Sequence, residues 1–250
     1  LYTGTGSSNA ITGVGFQPDF VWTKNRDSTD NHNLFDAVRG ATKYITSNLT
    51  SAEGTTAESL KSFDADGFTV GTWGDTNGNT EDYASWNWKA GTTTGLSGGT
   101  ITPSAYSFNT TSGFSIIAYT GTGSAATIPH GLGVIPKMIG VKRLNSTSQW
   151  SVYHESLGNT KHLILDTSAA EVTSTNYWND TSPTSSVFSI GSGTDVNASG
   201  GTYIAYVWAD VKGYSKFGSY VGNGNADGAF LYTGFRPALV LIKNATGSSM

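Results

Sequence analysis

One pattern appears three times in this chain. Phe16-Gln-Pro18-Asp-Phe-Val-Trp-Thr-Lys24 returns as Val134-Ile-Pro136-Lys-Met-Ile-Gly-Val-Lys142 and again as Phe235-Arg-Pro237-Ala-Leu-Val-Leu-Ile-Lys243. A Tyr-x-Gly-x-Gly turn precedes each copy, headed by Tyr2, Tyr119 and Tyr220. The prolines stand 118 (136 − 18) and 101 (237 − 136) positions apart. Self-similarity at a domain-sized spacing implies a tandem array, an architecture suited to reach and multivalent contact rather than to one catalytic pocket.

Between these landmarks the local signals are those of strands. Residues 19–24, 33–38, 43–46, 68–72 and 83–89 are short apolar or alternating runs, separated by Gly, Asn, Asp, Ser and Thr clusters that turn chains. Alternation is clearest over residues 83–90, where Ala84, Trp86, Trp88 and Ala90 share one face. Burying the two indoles contributes roughly 1.5–3 kcal/mol each or more, which predicts a strand central to a sandwich. Tyr203-Ile-Ala-Tyr-Val-Trp208 repeats it at a spacing of 120 (203 − 83). One short helix is expected over residues 57–63.

The expected fold class is therefore all-β, built of tandem antiparallel β-sandwich repeats of jelly-roll or lectin-like kind. The expected organisation is a first repeat at residues 1–89, a connector at 90–112, a second repeat at 113–212, and at 213–250 the start of a truncated third. Trp208 lies only 12 positions before Tyr220 (220 − 208), whereas Trp88 lies 31 before Tyr119 (119 − 88). The second and third units are accordingly expected to pack closely, and the first and second less so. Both ends read as cuts from something longer.

Composition removes several function classes. The chain of 250 residues has no cysteine, so neither disulfides nor thiolate metal sites contribute. Its formal net charge is −4 with Lys and Arg scattered singly, which leaves no basic stripe for a nucleic acid. The longest apolar runs, such as residues 238–242, are far too short to span a bilayer, and no membrane partner is expected.

The recurring residues read first as structural. Pro18, Pro136 and Pro237 suit the first residue of a strand. Gly13, Gly15, Gly131 and Gly133 suit tight turns with positive φ. Lys24, Lys142 and Lys243 are expected to close a strand where it meets solvent, blunting an edge or capping an end. Function must then lie in loops, where the units differ.

A glycoside hydrolase needs two carboxylates facing each other across the sugar. No acidic alternation occurs on a strand here; Asp36 lies on one, but its counterpart in the second unit is His154. His32, His130, His154 and His162 show no zinc-motif spacing. Asp64 and Asp66, and Asp75, Asn77 and Asn79, alternate like oxygen ligands, yet neither run carries the closing acid of a calcium loop and both are turn-forming. No catalytic residue, metal or cofactor is expected. The sugar-binding candidate is Tyr177, Trp178, Asn179 and Asp180, an aromatic for stacking beside polar groups for hydroxyls. Weaker versions are Trp73 with Asp75, and Gln149 with Trp150. The structural alternative makes Trp178 a loop anchor over the sandwich edge, with Asn179 and Asp180 in an Asx turn. Glycosylation sequons at Asn48, Asn109, Asn145, Asn179, Asn197 and Asn244 arise readily in a chain this rich in Asn, Ser and Thr.

Longer strings carry a resemblance. They are Gly15-Phe-Gln-Pro-Asp-Phe-Val-Trp-Thr-Lys-Asn-Arg26, Leu34-Phe-Asp-Ala-Val-Arg-Gly-Ala-Thr-Lys-Tyr44, His130-Gly-Leu-Gly133, Tyr177-Trp-Asn-Asp-Thr-Ser-Pro183, Gly213-Tyr-Ser-Lys-Phe-Gly-Ser-Tyr-Val-Gly-Asn-Gly224 and Gly234-Phe-Arg-Pro-Ala-Leu-Val-Leu-Ile-Lys243. Together they cover nearly the whole chain and resemble repeat-containing virion appendage (tail-fibre-like) proteins of marine bacteriophages. That resemblance implies a non-enzymatic structural module, located in the virion or outside the cell, with loops that contact host-surface glycans. Its partners would be other virion proteins, host cell-surface polysaccharide and further copies in a homo-oligomer. Two other readings stand beside it: a bacterial secreted adhesin or extracellular filament subunit, and a glycan depolymerase.

Overall fold

Short antiparallel strands carry the chain, and among the described residues every helix is a single turn. A computed structural model describes residues 1–247. The first half contains β1 (Tyr2–Thr3), β2 (Asn9–Ile11), β3 (Phe20–Asn25), β4 (Asn33–Asp36), β5 (Lys43–Thr46), β6 (Gly54–Thr55), β7 (Leu60–Asp64), β8 (Gly67–Val70), α1 (Gly74–Asn77) and β9 (Asp82–Trp88). They form a six-stranded sheet in the order β1-β9-β3-β4-β5-β6 and a three-stranded sheet in the order β2-β8-β7.

The second half contains β10 (Ala105–Asn109), β11 (Phe114–Thr120), β12 (Ala126–Pro129), β13 (Met138–Arg143), β14 (Ser151–His154), β15 (Lys161–Ile164), β16 (Val172–Thr173), α2 (Thr175–Trp178), β17 (Val187–Ile190), α3 (Thr194–Asn197) and β18 (Thr202–Trp208). Its large sheet runs β10-β11-β18-β13-β14-β15-β16, and β12 pairs with β17 in a small one. From β11 to β16 the order matches that of the first large sheet strand for strand.

Three apolar cores fix how the sheets stack. Val21 and Phe35 of the first large sheet meet Leu60, Phe68 and Val70 of the small one. Ile117, Ile139, Val141 and Val207 of the second large sheet meet Ile128, Phe188 and Ile190 of its small one. The third core lies between the two large sheets and joins Phe20, Leu34 and Ile45 to Phe114, Ile116, Trp150, Ile204 and Tyr206. The result is four layers: small, large, large, small. Each large sheet is apolar on both faces, so its strands read as near-continuous apolar runs.

Four expectations change on this evidence. Residues 57–63 do not form a helix; β7 pairs with β8 there, placing Phe63 opposite Phe68. Cross-strand packing of those side chains outweighs the weak helix preference of Ala, Glu and Lys. Trp86 and Trp88 do not face their own small sheet. They pack with Trp22, Phe20 and Phe114 on the side turned toward the second half, while Tyr83 points into the first core. The connector at residues 90–112 is not separate from the second half: its β10 forms the edge of the second large sheet and Ile101 is buried in its core. Finally, the first and second halves share a core, whereas residues 213–247 form no strand and are mostly exposed. Tether length did not decide this. Buried apolar area did.

The recurring turn now has a physical cause. Tyr2 stacks on Tyr83 and Tyr119 on Tyr203, each pair with ring centroids 5.1 Å apart. Tyr2 donates to Thr76 O at 2.7 Å and Tyr119 to Val196 O at 2.6 Å, which ties each turn to the short helix before β9 or β18. A Cβ on Gly121 would stand 2.4 Å from Ala198 O, and one on Gly4 2.0 Å from Gly78 O. Gly121→Ala is expected to cost about 1–3 kcal/mol through forced backbone movement, read by urea denaturation; no measurable loss would refute the close approach.

Lys142 also departs from expectation. It is fully buried on an interior strand, not at a solvent-facing end. Its side of β13 faces the first half, and its Nζ donates to Thr50 O at 2.8 Å and to Ser148 O. Burial pushes its ammonium down from 10.5 to about 8, against the pull of Asp166 and Asp195. The unfolded chain keeps this proton up to about pH 10.4. Between about pH 8 and about pH 10 the unfolded state therefore binds more protons, and stability should rise with pH by at most about 3 kcal/mol. Above about pH 10 the slope should reverse, because burial holds Tyr119 and Tyr206 protonated in the fold alone. Urea midpoints measured at pH 7.5 and 9.5 check this, and a flat or falling profile would contradict it.

Candidate functional site

Both halves place an acid one residue inside the short helix before the long strand: Asp75 in α1 and Asp195 in α3. Two residues further on, Asn77 and Asn197 are fully buried. Asn77 accepts from Thr5 N at 2.9 Å and donates to Gly71 O at 2.6 Å. Asn197 accepts from Thr122 N at 2.8 Å and donates to Gly191 O at 2.7 Å. These amides satisfy turn backbone that would otherwise be orphaned. Sequence reasoning treated Asn77 as one of a run of turn residues; its recurrence at 120 (197 − 77) was the available signal.

What surrounds the acid differs between the halves. In the second, His162 of β15 stacks on Tyr177 at 3.5 Å between centroids, and Tyr177 donates to Asp195 Oδ2 at 3.1 Å. Ser148 Oγ takes the other carboxylate oxygen at 2.6 Å. In the first half, Tyr44 occupies the position of His162 and meets Trp73 at 4.6 Å with the rings inclined by 44°. There a cleft of about 140 Å3 opens, lined by Asn31, Tyr44, Thr46, Ser51, Trp73 and Asp75 among others. Its volume approaches the ~150 Å3 of a cavity that admits benzene, so it has room for one six-membered ring.

The chemistry of this cleft suits a neutral, hydroxyl-rich ring. Tyr44 and Trp73 offer apolar surface for stacking, and Asn31, Thr46, Ser51 and Asp75 offer donors and acceptors. Burial raises the Asp75 carboxyl above its ordinary value, and the charge of Asp30 adds to that effect. A raised carboxyl beside a second acid disfavours an anionic ligand.

The principal sequence candidate fares differently. Trp178 is only 1% exposed and meets Tyr153 edge-on at 5.8 Å inside the second core. Tyr177 is spent on His162 and Asp195. Asn179 and Asp180 are exposed with φ of 52° and 45°, forming the left-handed end of α2. The stacking platform expected of Tyr177, Trp178, Asn179 and Asp180 is therefore not formed, because the helical turn rotates the indole into the core. Trp150 is buried too, donating its Nε1 to Thr46 O at 2.8 Å. Of the three aromatic candidates, Trp73, with Asp75, lines the cleft described above.

Four further titratable groups, Asp36, Arg39, His130 and Asp66, are engaged structurally. Asp36 is fully buried and accepts from Arg39 Nε at 2.5 Å and Tyr206 OH at 2.6 Å. Burial disfavours the Arg39 guanidinium, but Asp36 outweighs it and holds the proton more firmly than usual. His130 lies between Leu132 N and Thr184 O. Asp66 accepts from Gly13 N and Gly15 N, which keeps its carboxyl below the usual range. Among the described residues no three His, Asp or Glu converge as a metal site, and no helix is long and apolar enough to cross a membrane.

Neither the curated proteins nor the solved structures contain a match to this sequence. A family match, in contrast, runs the full length from residue 1 to residue 250, across both halves and the third-copy segment. The chain belongs to the family described as a domain of unknown function, DUF7483.

Proposed function

We propose that the chain is two copies of one β-sandwich module of jelly-roll or lectin-like kind, with the leading edge of a third. On this reading it is a non-enzymatic structural module of a phage tail fibre or other virion appendage. One observation carries the structural part: two large sheets of matching strand order dock face to face on a common apolar core. Units joined this way transmit load through packed side chains rather than through a linker. The sequence resemblance supplies the setting, with other virion proteins as partners and the virion or extracellular space as the location.

The glycan-contacting role moves from Trp178 to the first-half cleft at Tyr44, Trp73 and Asp75. A glycan array probed with the chain should give neutral-sugar binding that Trp73→Ala abolishes at unchanged fold. Trp178→Ala should instead lower stability by about 3–5 kcal/mol as a core deletion. A blank array with the intact chain would leave the scaffold role alone. Gold-labelled antibodies against the chain should decorate particle appendages; label confined to bacterial envelopes would favour the adhesin reading. Release of reducing ends from polysaccharide would overturn the non-enzymatic assignment.

A further inference from the structure

The contacts that join the first half to the second have counterparts between the second half and the third-copy segment, with the lysine there shifted to the loop carbonyls on either side of the equivalent residue. At the first junction Lys142 Nζ donates to Thr50 O at 2.8 Å, and Glu53 N donates to Leu144 O at 2.9 Å. Farther along, Lys243 Nζ donates to Thr167 O at 2.5 Å and Ala169 O at 3.1 Å, and Glu171 N donates to Ala245 O at 2.8 Å. Lys243 and Ala245 lie 101 positions beyond Lys142 and Leu144 (243 − 142, 245 − 144), the offset of the prolines. Glu171 lies 118 beyond Glu53 (171 − 53), the offset of the first two copies. The cradle is braced alike in both halves, by Lys43 on Glu53 and by Lys161 on Glu171.

The junction is directional. In a reciprocal, two-fold contact Lys24 would reach the second half's loop at Ser168 as Lys142 reaches Thr50. Lys24 donates instead to Asn25 O and Ser28 O in its own loop. Side-chain directions agree that residues 239–244 correspond to the strand Met138–Arg143. Leu241, the counterpart of Gly140, lines a cleft of about 350 Å3 with Trp22 and Leu165, so three segments meet there. Val240 and Ile242, counterparts of the core residues Ile139 and Val141, point elsewhere and are 65% and 64% exposed.

From these repeated contacts we infer that the loop after the fifth strand of each unit, residues 47–53 and 165–171, is a docking cradle for the lysine-ended strand of the next unit. The occupant of the second cradle is the extended segment ending at Lys243, which forms no strand here, and the partner class is another module of this same kind. A head-to-tail contact of this type adds units in one direction, giving a ring if the rotation closes and a filament if it does not. The inference rests on the reading of the halves as copies of one module, and is independent of glycan binding and of the virion setting.

Amide hydrogen exchange on the whole chain tests it. Glu53 and Glu171 amides should both be protected. Lys243→Met should speed exchange at Glu171 at least 10-fold and leave Glu53 unchanged. Lys142→Met should speed exchange at Glu53; should that variant unfold, the Lys243→Met arm stands alone. Free exchange at Glu171 in the unaltered chain, or no response to Lys243→Met, would overturn the cradle. Loss of glycan binding with both amides still protected would count against the glycan role only.

Discussion

Asp36→Ala should lower stability by about 3–5 kcal/mol, because it strips a buried guanidinium of its nearest counter-charge. Arg39 is nearly inaccessible, with its Nη2 on Leu34 O at 2.9 Å and its Nη1 on Glu53 at 3.3 Å. Those groups do not replace the ion pair at 2.5 Å. At roughly 2–4 °C per kcal/mol for a chain of this size, the midpoint should fall by about 6–20 °C. Tyr206→Phe should cost less, about 1.5–3 kcal/mol, since it removes the hydrogen bond donated to Asp36 at 2.6 Å and a long one accepted from Arg39 at 3.4 Å but leaves the ion pair in place. Because Asp36 and Tyr206 belong to different halves, their double-mutant cycle reports the junction itself. A loss under 1 kcal/mol for Asp36→Ala would show that water reaches Arg39.

Phe20→Ala should destabilise both halves together, by about 3–5 kcal/mol. Its ring lies 4.6 Å from Tyr206, 5.3 Å from Trp88 and 5.6 Å from Phe114 between centroids, so the cavity would open where the large sheets meet. A shared core makes the two halves one cooperative unit. Thermal unfolding should show a single transition, and amides of β11 and β18 should lose protection along with those of β3. If the second half instead unfolds separately at its original midpoint, the sheets do not depend on each other.

Much of the strand framework was legible. The alternation over residues 83–90 gave β9, and its repeat over 203–208 gave β18, since period-two patterning is a local property. The glycines at 13, 15, 131 and 133 do have positive φ. Burial direction was not legible. Alternation says that Trp86 and Trp88 share a face, but both faces of this sheet are covered, one by the small sheet and one by the other half. The site suffered the same ambiguity. Tyr177-Trp178-Asn179-Asp180 and Trp73 with Asp75 carry equivalent chemistry in sequence, and only the path of the chain shows which aromatic lines a cleft.

The sequence by itself determined most of the strands of the first half, the turns and the repetition of strings, because each depends on neighbours a few residues apart or on copies of one string; it misplaced residues 57–63, which pair in β7. Only the tertiary structure decided that Lys142 is buried, that Asp36 pairs across to Tyr206, and that two large sheets close on one core. Those outcomes depend on which surfaces meet after folding, and the free energy of that meeting comes from residues far apart in the chain, 92 positions for Lys142 and Thr50 and 170 for Asp36 and Tyr206.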